Sequence, residues 1–197
     1  MLGNNKSKPS IVISGWPAVG KTNIAKELAN EFGFKMYNGG DILKMIAGQR
    51  GYVVSGKEWW DSTEESKKFM SERKLNLTFD RQVDKKLVNI AKKGNVVITS
   101  YTLPWLIKDS IKVWLKGSYK SRAKRMATRD NMSITEAKKI ISSRDEENEK
   151  IYRNLYGFNF GEDLCVFDFI LNTDLLNLDS LINISKNIIK DILSQKK

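Results

Sequence analysis

Eight residues near the start of the chain restrict the fold more than anything else in it: Gly15-Trp16-Pro17-Ala18-Val19-Gly20-Lys21-Thr22. The spacing G-x-x-x-x-G-K-T belongs to a phosphate-cradling loop, which leaves a buried strand and enters the first turn of a helix. Both flanks comply. Residues 11–13, Ile-Val-Ile, form a short apolar run punctuated by Gly15 and Pro17. Residues 22–32 carry Ile24, Leu28 and Phe32 at helical spacing, with Gly33 as the stop. Gly15 and Gly20 permit backbone conformations that a side chain would hinder. The loop N–H groups then converge on phosphate oxygens, and the helix N-terminus adds the positive end of its dipole. Lys21 supplies a point charge for the terminal phosphates, and the Thr22 hydroxyl is the expected Mg²⁺ ligand. Gly15 to Thr22, with Asn23, are the predicted binding residues for a nucleoside triphosphate such as ATP.

Composition removes several chemistries. The 197 residues suit one domain and include no histidine, which excludes Ser-His-Asp and Cys-His mechanisms and any His-ligated metal. A single cysteine, Cys165, excludes an internal disulfide framework and a Cys-based zinc site. It reads as a small core residue, and the setting implied is reducing and cytoplasmic. No apolar run approaches the roughly 20 residues that span a bilayer; the polar residues 1–10 do not read as a signal peptide, and residues 1–9 read as a disordered lead-in. The net charge of +11 suits polyanions, nucleotides or nucleic acid among them, and serves solubility equally well.

The remaining pattern alternates short apolar strands with helices, which indicates a parallel α/β sheet. Strands are predicted at residues 35–37, 95–100, 111–115 and 167–172. Residues 41–93 are polar and mostly helical, with Gly94 as the stop. Residues 118–132 and 133–153 read as two charged helices, the second opened by the capping box Ser133-Ile-Thr-Glu136. Residues 179–193 form an amphipathic helix. Trp59-Trp60 reads as packing, Trp16 as a residue packed beside its loop, and Tyr101 and Trp105 as candidates for a cleft wall at a strand end.

Four stretches beyond this pattern carry a resemblance: the phosphate loop; Gly40-Asp41-Ile42 ahead of a helix; Ala91-Lys-Lys-Gly-Asn-Val-Val97; and Trp114-Leu-Lys followed by Arg122-Ala-Lys-Arg125 and Arg129. In order and spacing the chain resembles nucleoside monophosphate kinases, and among them the short archaeal-type cytidylate kinases. The resemblance implies a P-loop kinase fold: a five-stranded parallel sheet flanked by helices. It also implies a single domain over residues 1–197, with a helical acceptor-binding insertion at about 41–93 and a short lid at about 125–157. It places Arg125 near the adenine, Arg129 near the phosphates, and Arg144 on the transferring phosphoryl group. Lys21, Arg129 and Arg144 are thus the expected catalytic charges.

The sequence departs from that family where the acceptor would bind. Lys44 stands for an arginine that holds the acceptor phosphate and keeps the charge without the bidentate fork. Thr99-Ser100-Tyr101 stands for Glu-Gly-Arg, so a metal-shell carboxylate and a phosphate-gripping guanidinium are both replaced. Asp41 is left as the acid for the metal's water shell, and Ile151 replaces a second lid arginine. Asp80-Arg81-Gln82-Val83-Asp84 retains acidic and basic groups able to read a cytosine edge. The predicted acceptor residues are Asp41, Lys44, Arg81, Asp84 and Tyr101, and the expected reaction is ATP- and Mg²⁺-dependent phosphorylation of CMP or dCMP. Two other readings stand beside it. One is a weakly active nucleotide-binding protein that docks on RNA or a ribonucleoprotein; the other is a kinase for a non-nucleotide small molecule.

Overall fold

The computed structural model describes residues 7–54 and 63–195. Five strands form one sheet: β1 (Ser10–Gly15), β2 (Lys35–Asn38), β3 (Val96–Thr99), β4 (Ser110–Lys116) and β5 (Phe169–Asn172). Their order is β2-β3-β1-β4-β5 and every pairing is parallel. The central strand β1 is buried along its whole length, which is why it reads as an unbroken apolar run. The order reverses beside β1, so the loop that follows β1 lies at the crevice where open α/β sheets bind ligands.

Helices cover both faces. On one, α1 (Lys21–Phe32) and the C-terminal helix α8 (Leu178–Gln195) bury Ile24, Leu28, Leu181 and Ile189 against Ile11, Ile13 and Val113. On the other, α2 (Gly39–Gln49), α3 (Glu64–Leu75) and α4 (Thr78–Ala91) bury Ile42, Ile46, Phe69, Phe79 and Leu87 against Val12 and Ile98. A single turn, α5 (Leu103–Leu106), follows β3. Helices α6 (Tyr119–Asp130) and α7 (Ile134–Tyr156) form a hairpin with its own small core of Ala123, Met126, Ala137 and Ile141.

Local chemistry sets the ends. Gly33 adopts φ 65° and donates its N–H to Ala29 and Asn30, closing α1. The capping box of α7 is present: the Ser133 hydroxyl accepts from the Glu136 N–H, and the Glu136 carboxylate accepts from Ser133. The predicted strands and helices all occur, with ends displaced by at most three residues. Cys165 is a correction, because it is exposed in a 3₁₀ turn (Leu164–Val166) rather than buried in the core. Trp59-Trp60 and most of the lead-in lie outside the described residues. Among the described residues no helix is long and apolar enough to cross a membrane.

Phe79 is fully buried and meets Phe69 edge-to-face at 5.1 Å, fixing α3 and α4 to each other above the sheet. Phe79→Ala is expected to lower unfolding stability by about 3–5 kcal/mol, read from denaturant midpoints at unchanged m-value.

Candidate active site

The phosphate loop has the backbone that its sequence demands. Gly15, Ala18 and Gly20 take φ values of 141°, 61° and 95°. A Cβ on Gly15 would overlap the Leu115 carbonyl oxygen of β4, so that position admits glycine only. Gly20 caps α1 without any side-chain hydrogen bond, and no acid stands in the helix's first turn, leaving its N–H groups directed at the loop's interior.

Lys21 folds back over this loop. Its ammonium donates to the carbonyls of Gly15 at 2.6 Å and Trp16 at 2.9 Å, and sits 4.6 Å from the centre of the Tyr101 ring. Burial lowers its pKa to about 7, with Arg122, Arg144 and Arg129 adding like charge and Asp145 opposing them.

Arg122 is the nearest of these cations in effect and is buried. It pairs with Asp145 through two hydrogen bonds, 3.0 and 2.6 Å, joining α6 to α7. Its guanidinium lies 5.6 Å from the Trp16 ring, while Trp16 meets Phe160 edge-to-face at 4.7 Å and closes on Gly161. Trp16 therefore packs beside its loop, as its sequence position suggested. Arg125 bonds Thr173 after β5, and Arg129 pairs with Asp130 at 2.6 Å. The register of Arg122, Arg125 and Arg129 on α6 thus splits into one buried structural pair and two groups at the cleft.

One cleft of about 980 Å³ runs from the phosphate loop to the insertion helices. Of the predicted residues, Pro17 to Asn23, Asp41, Asp84, Tyr101, Arg125, Arg129 and Arg144 line it. Gly15 and Trp16 support the loop from outside. Lys44 and Arg81 stand outside the lining, and Arg81 is exposed on the outer face of α4.

The guanidinium that does line the far end is Arg73 of α3, which the sequence reading missed. Arg73 is 6% exposed and bonds both oxygens of Asp80 at 2.9 and 2.7 Å. Its Nη2 also reaches the Tyr152 hydroxyl at 3.5 Å. Burial opposes the Arg73 charge, and Asp80 beside it outweighs burial and holds the group protonated. Nη1 is left without a hydrogen bond among the described residues.

Asp84, one turn along α4, is 5% exposed and accepts from two hydroxyls: Thr102 after β3, and Tyr156 at the end of α7 at 2.6 Å. Burial pushes its pKa up to about 6, against those two hydrogen bonds. The like charges of Asp80 and Asp84 are thus separated chemically, one bound to Arg73 and the other raised toward neutrality. Lys74 adds a third tie between insertion and hairpin, meeting Glu147 of α7 at 2.6 Å.

The replaced arginine positions now have an account. Tyr101 stacks on Tyr152 with centroids 6.0 Å apart and meets Phe160 edge-to-face. Ile151 is 4% exposed in the same aromatic cluster, with Trp114, Phe158 and Phe160. A guanidinium at position 151 would be desolvated without a partner in that cluster. Trp105 belongs to this cluster, stacked on Phe158 at 4.2 Å, and is not a cleft wall.

A sequence model described as the Cytidylate kinase-like family matches residues 10–175. The cytidylate kinase of Pyrococcus horikoshii is 35% identical over 85% of this chain and 81% of its own. That of Pyrobaculum islandicum is 31% identical over 94% of this chain and 95% of its own. Among solved structures, the shikimate kinase of Acinetobacter baumannii in complex with shikimate superposes with a TM-score of 0.56 at 16% identity, covering 96% of this chain and 95% of its own. A gluconokinase from Sinorhizobium meliloti gives 0.57 at 11% identity, covering 96% and 97%. These two speak for the fold alone.

With its ammonium titrating at about 7, Lys21 is expected to make the binding of a triphosphate proton-linked. An anionic ligand raises the ammonium's pKa above its free value of about 7, so binding takes up a proton above that pH. Affinity is full below pH 7 and falls as pH rises through 8. Calorimetric titration with ATP at pH 8, in two buffers of different ionisation enthalpy, should show that uptake in the wild type. Lys21→Arg, charged throughout, should not show it.

Proposed function

This chain belongs to the cytidylate kinase-like family, and we propose that it transfers the γ-phosphoryl group of ATP to CMP, giving ADP and CDP. The observation that carries this reading is the single cleft with the phosphate loop at one end and a buried guanidinium-carboxylate pocket at the other. Donor and acceptor would meet within it, beside Lys21 and Tyr101.

The acceptor's phosphate oxygen is already a nucleophile, so no general base is needed. The oxygen–phosphorus bond to the acceptor forms as the bridging bond to the β-phosphate breaks, and the electron pair leaves on the β-phosphate. Catalysis is then positioning and charge. Lys21 would meet the terminal phosphates, while Arg129 and Arg144, which line the cleft from the α6–α7 hairpin, would stabilise charge on the equatorial oxygens. The hairpin serves as the lid, excluding water as a competing acceptor. Residues 41–93 serve as the acceptor-binding insertion. There Arg73 and Asp84, rather than Arg81 and Asp84, would serve as donor and acceptor to the pyrimidine edge.

A Mg²⁺ ion fits this site as a companion of the triphosphate. Thr22 and Asp41 both line the cleft, and among the described residues no cluster of three acids could cage a metal by itself. Such a set suits an ion that keeps its waters and borrows phosphate oxygens. Bound there, it would neutralise charge on the β- and γ-phosphates, with Thr22 as a direct ligand and Asp41 holding its water.

A coupled ATP-consumption assay tests the proposal, run with CMP, dCMP, UMP, AMP and GMP and a no-acceptor control. Turnover with CMP well above the control is expected; background rates with every monophosphate, in a sample that binds ATP, would refute it. Lys21→Ala should lower kcat by roughly 10²–10³ with the fold retained by circular dichroism. Arg73→Gln should raise the KM for CMP by roughly tenfold or more and leave the KM for ATP unchanged, since a charged contact is worth ~1.5–3 kcal/mol.

A further inference from the structure

Asp84 has a combination of features that the phosphoryl transfer does not call for. It is buried, lines the cleft, and is met by a hydroxyl on each carboxylate oxygen, one from Thr102 after β3 and one from Tyr156 of α7. A hydroxyl partner, unlike a guanidinium, tolerates both protonation states of a carboxylate, because it can donate or accept. The neighbouring charge is spoken for: Arg73 gives two hydrogen bonds to Asp80 and none to Asp84. Arg73 favours the Asp84 anion through space alone, with no hydrogen bond to it, and burial outweighs that attraction.

We propose that the protonation state of Asp84 chooses the acceptor base: as a carboxylate it takes the amino pyrimidine of CMP, and as a neutral acid it takes the keto pyrimidine of UMP. This rests on the acceptor reading above and deepens it. A carboxylate accepts from the exocyclic amino group of cytosine and repels the carbonyl oxygen that uracil carries at the same position. A neutral acid donates to that carbonyl. The O2 oxygen, common to both bases, is met in either case by the unused Nη1 of Arg73.

The surroundings bear on this titration from each side. Asp80 and Arg81 share α4 with it; Arg73 faces it from α3; Tyr152 and Tyr156 face it from α7; Asp41 of α2 lines the same cleft; α5 and β3 contribute no titratable group. Burial dominates this set and brings the titration to about pH 6, where a modest change of pH interchanges the two forms.

The test is the ratio of kcat/KM for CMP to kcat/KM for UMP, measured from roughly pH 5.5 to 7.5. Titrations common to both reactions, those of Lys21, ATP and the acceptor phosphate, cancel in that ratio. The two acceptors need opposite forms of one group, so the ratio should rise by about tenfold per pH unit, a line of slope one in logarithms. Asp84→Asn should abolish the slope, since an amide offers a donor and an acceptor at every pH. Tyr156→Phe removes a donor that favours the carboxylate; it should displace the line in parallel toward UMP, and it decides the matter if the asparagine variant fails to fold. A flat wild-type ratio with both acceptors consumed, or a slope that survives in Asp84→Asn, would overturn the inference while leaving the kinase reading intact. Failure of both pyrimidines as acceptors would overturn the two together.

Discussion

Four cations, Lys21, Arg122, Arg129 and Arg144, act on one another at one loop, and their mutual repulsion has to be contained by the fold. The containment is specific. Asp145 takes Arg122 in a two-bond pair, two loop carbonyls and the face of Tyr101 take the Lys21 ammonium, and Asp130 takes Arg129. Removing one partner of a buried pair such as Arg122–Asp145 strands a charge and typically costs ~3–5 kcal/mol. The arrangement of α6, α7 and the residues after α7 follows from it: Arg122 seats the hairpin on Trp16 and Pro17, and Gly161 leaves room for the Trp16 ring. A positive field at the phosphate loop is thereby available to a ligand without being free to push the loop apart.

The aromatic cluster beneath this loop explains the acceptor side. Two of the three positions where the family resemblance calls for an arginine and this chain has another residue, Tyr101 and Ile151, pack into one cluster with Trp114, Tyr152, Phe158 and Phe160. They changed from charge to packing in the same place. The buried guanidinium that lines the cleft comes instead from α3, through Arg73, and is held by Asp80. A bidentate pair holds the guanidinium plane in one orientation, which the rotating ammonium of a lysine does not provide.

The phosphate loop and the order of strands and helices could be read from the sequence because each depends on local spacing. The acceptor pocket could not, because its guanidinium comes from α3, a helix so polar that no face stands out. Part of the signal was nonetheless present. Asp80, Val83, Asp84 and Leu87 fall at helical spacing and are all buried, so their face of α4 is the inner one. Arg81, one residue on from Asp80, is turned about 100° away from it. Cys165 misled for a related reason: its neighbours Leu164 and Val166 are apolar, but the segment is a 3₁₀ turn at the surface and buries none of them.

The cleft joins its two ends through α7. That helix carries Asp145, paired to Arg122 near the phosphate loop, and further along Glu147, Tyr152 and Tyr156, which meet Lys74, Arg73 and Asp84 of the insertion. Residues 145 to 156 span eleven steps of 1.5 Å, about 16 Å of helix axis. A rigid rod of that length ties an ion pair at the donor end to the hydroxyl of Tyr156 at the acceptor end. Any ligand that draws Tyr156 away from Asp84 must tilt α7 or rotate a tyrosine that is stacked on Phe158. The same helix thus takes part in the Arg122–Asp145 pair beside Lys21 and in the Tyr156–Asp84 hydrogen bond, so a tilt of α7 large enough to release one would bear on the other.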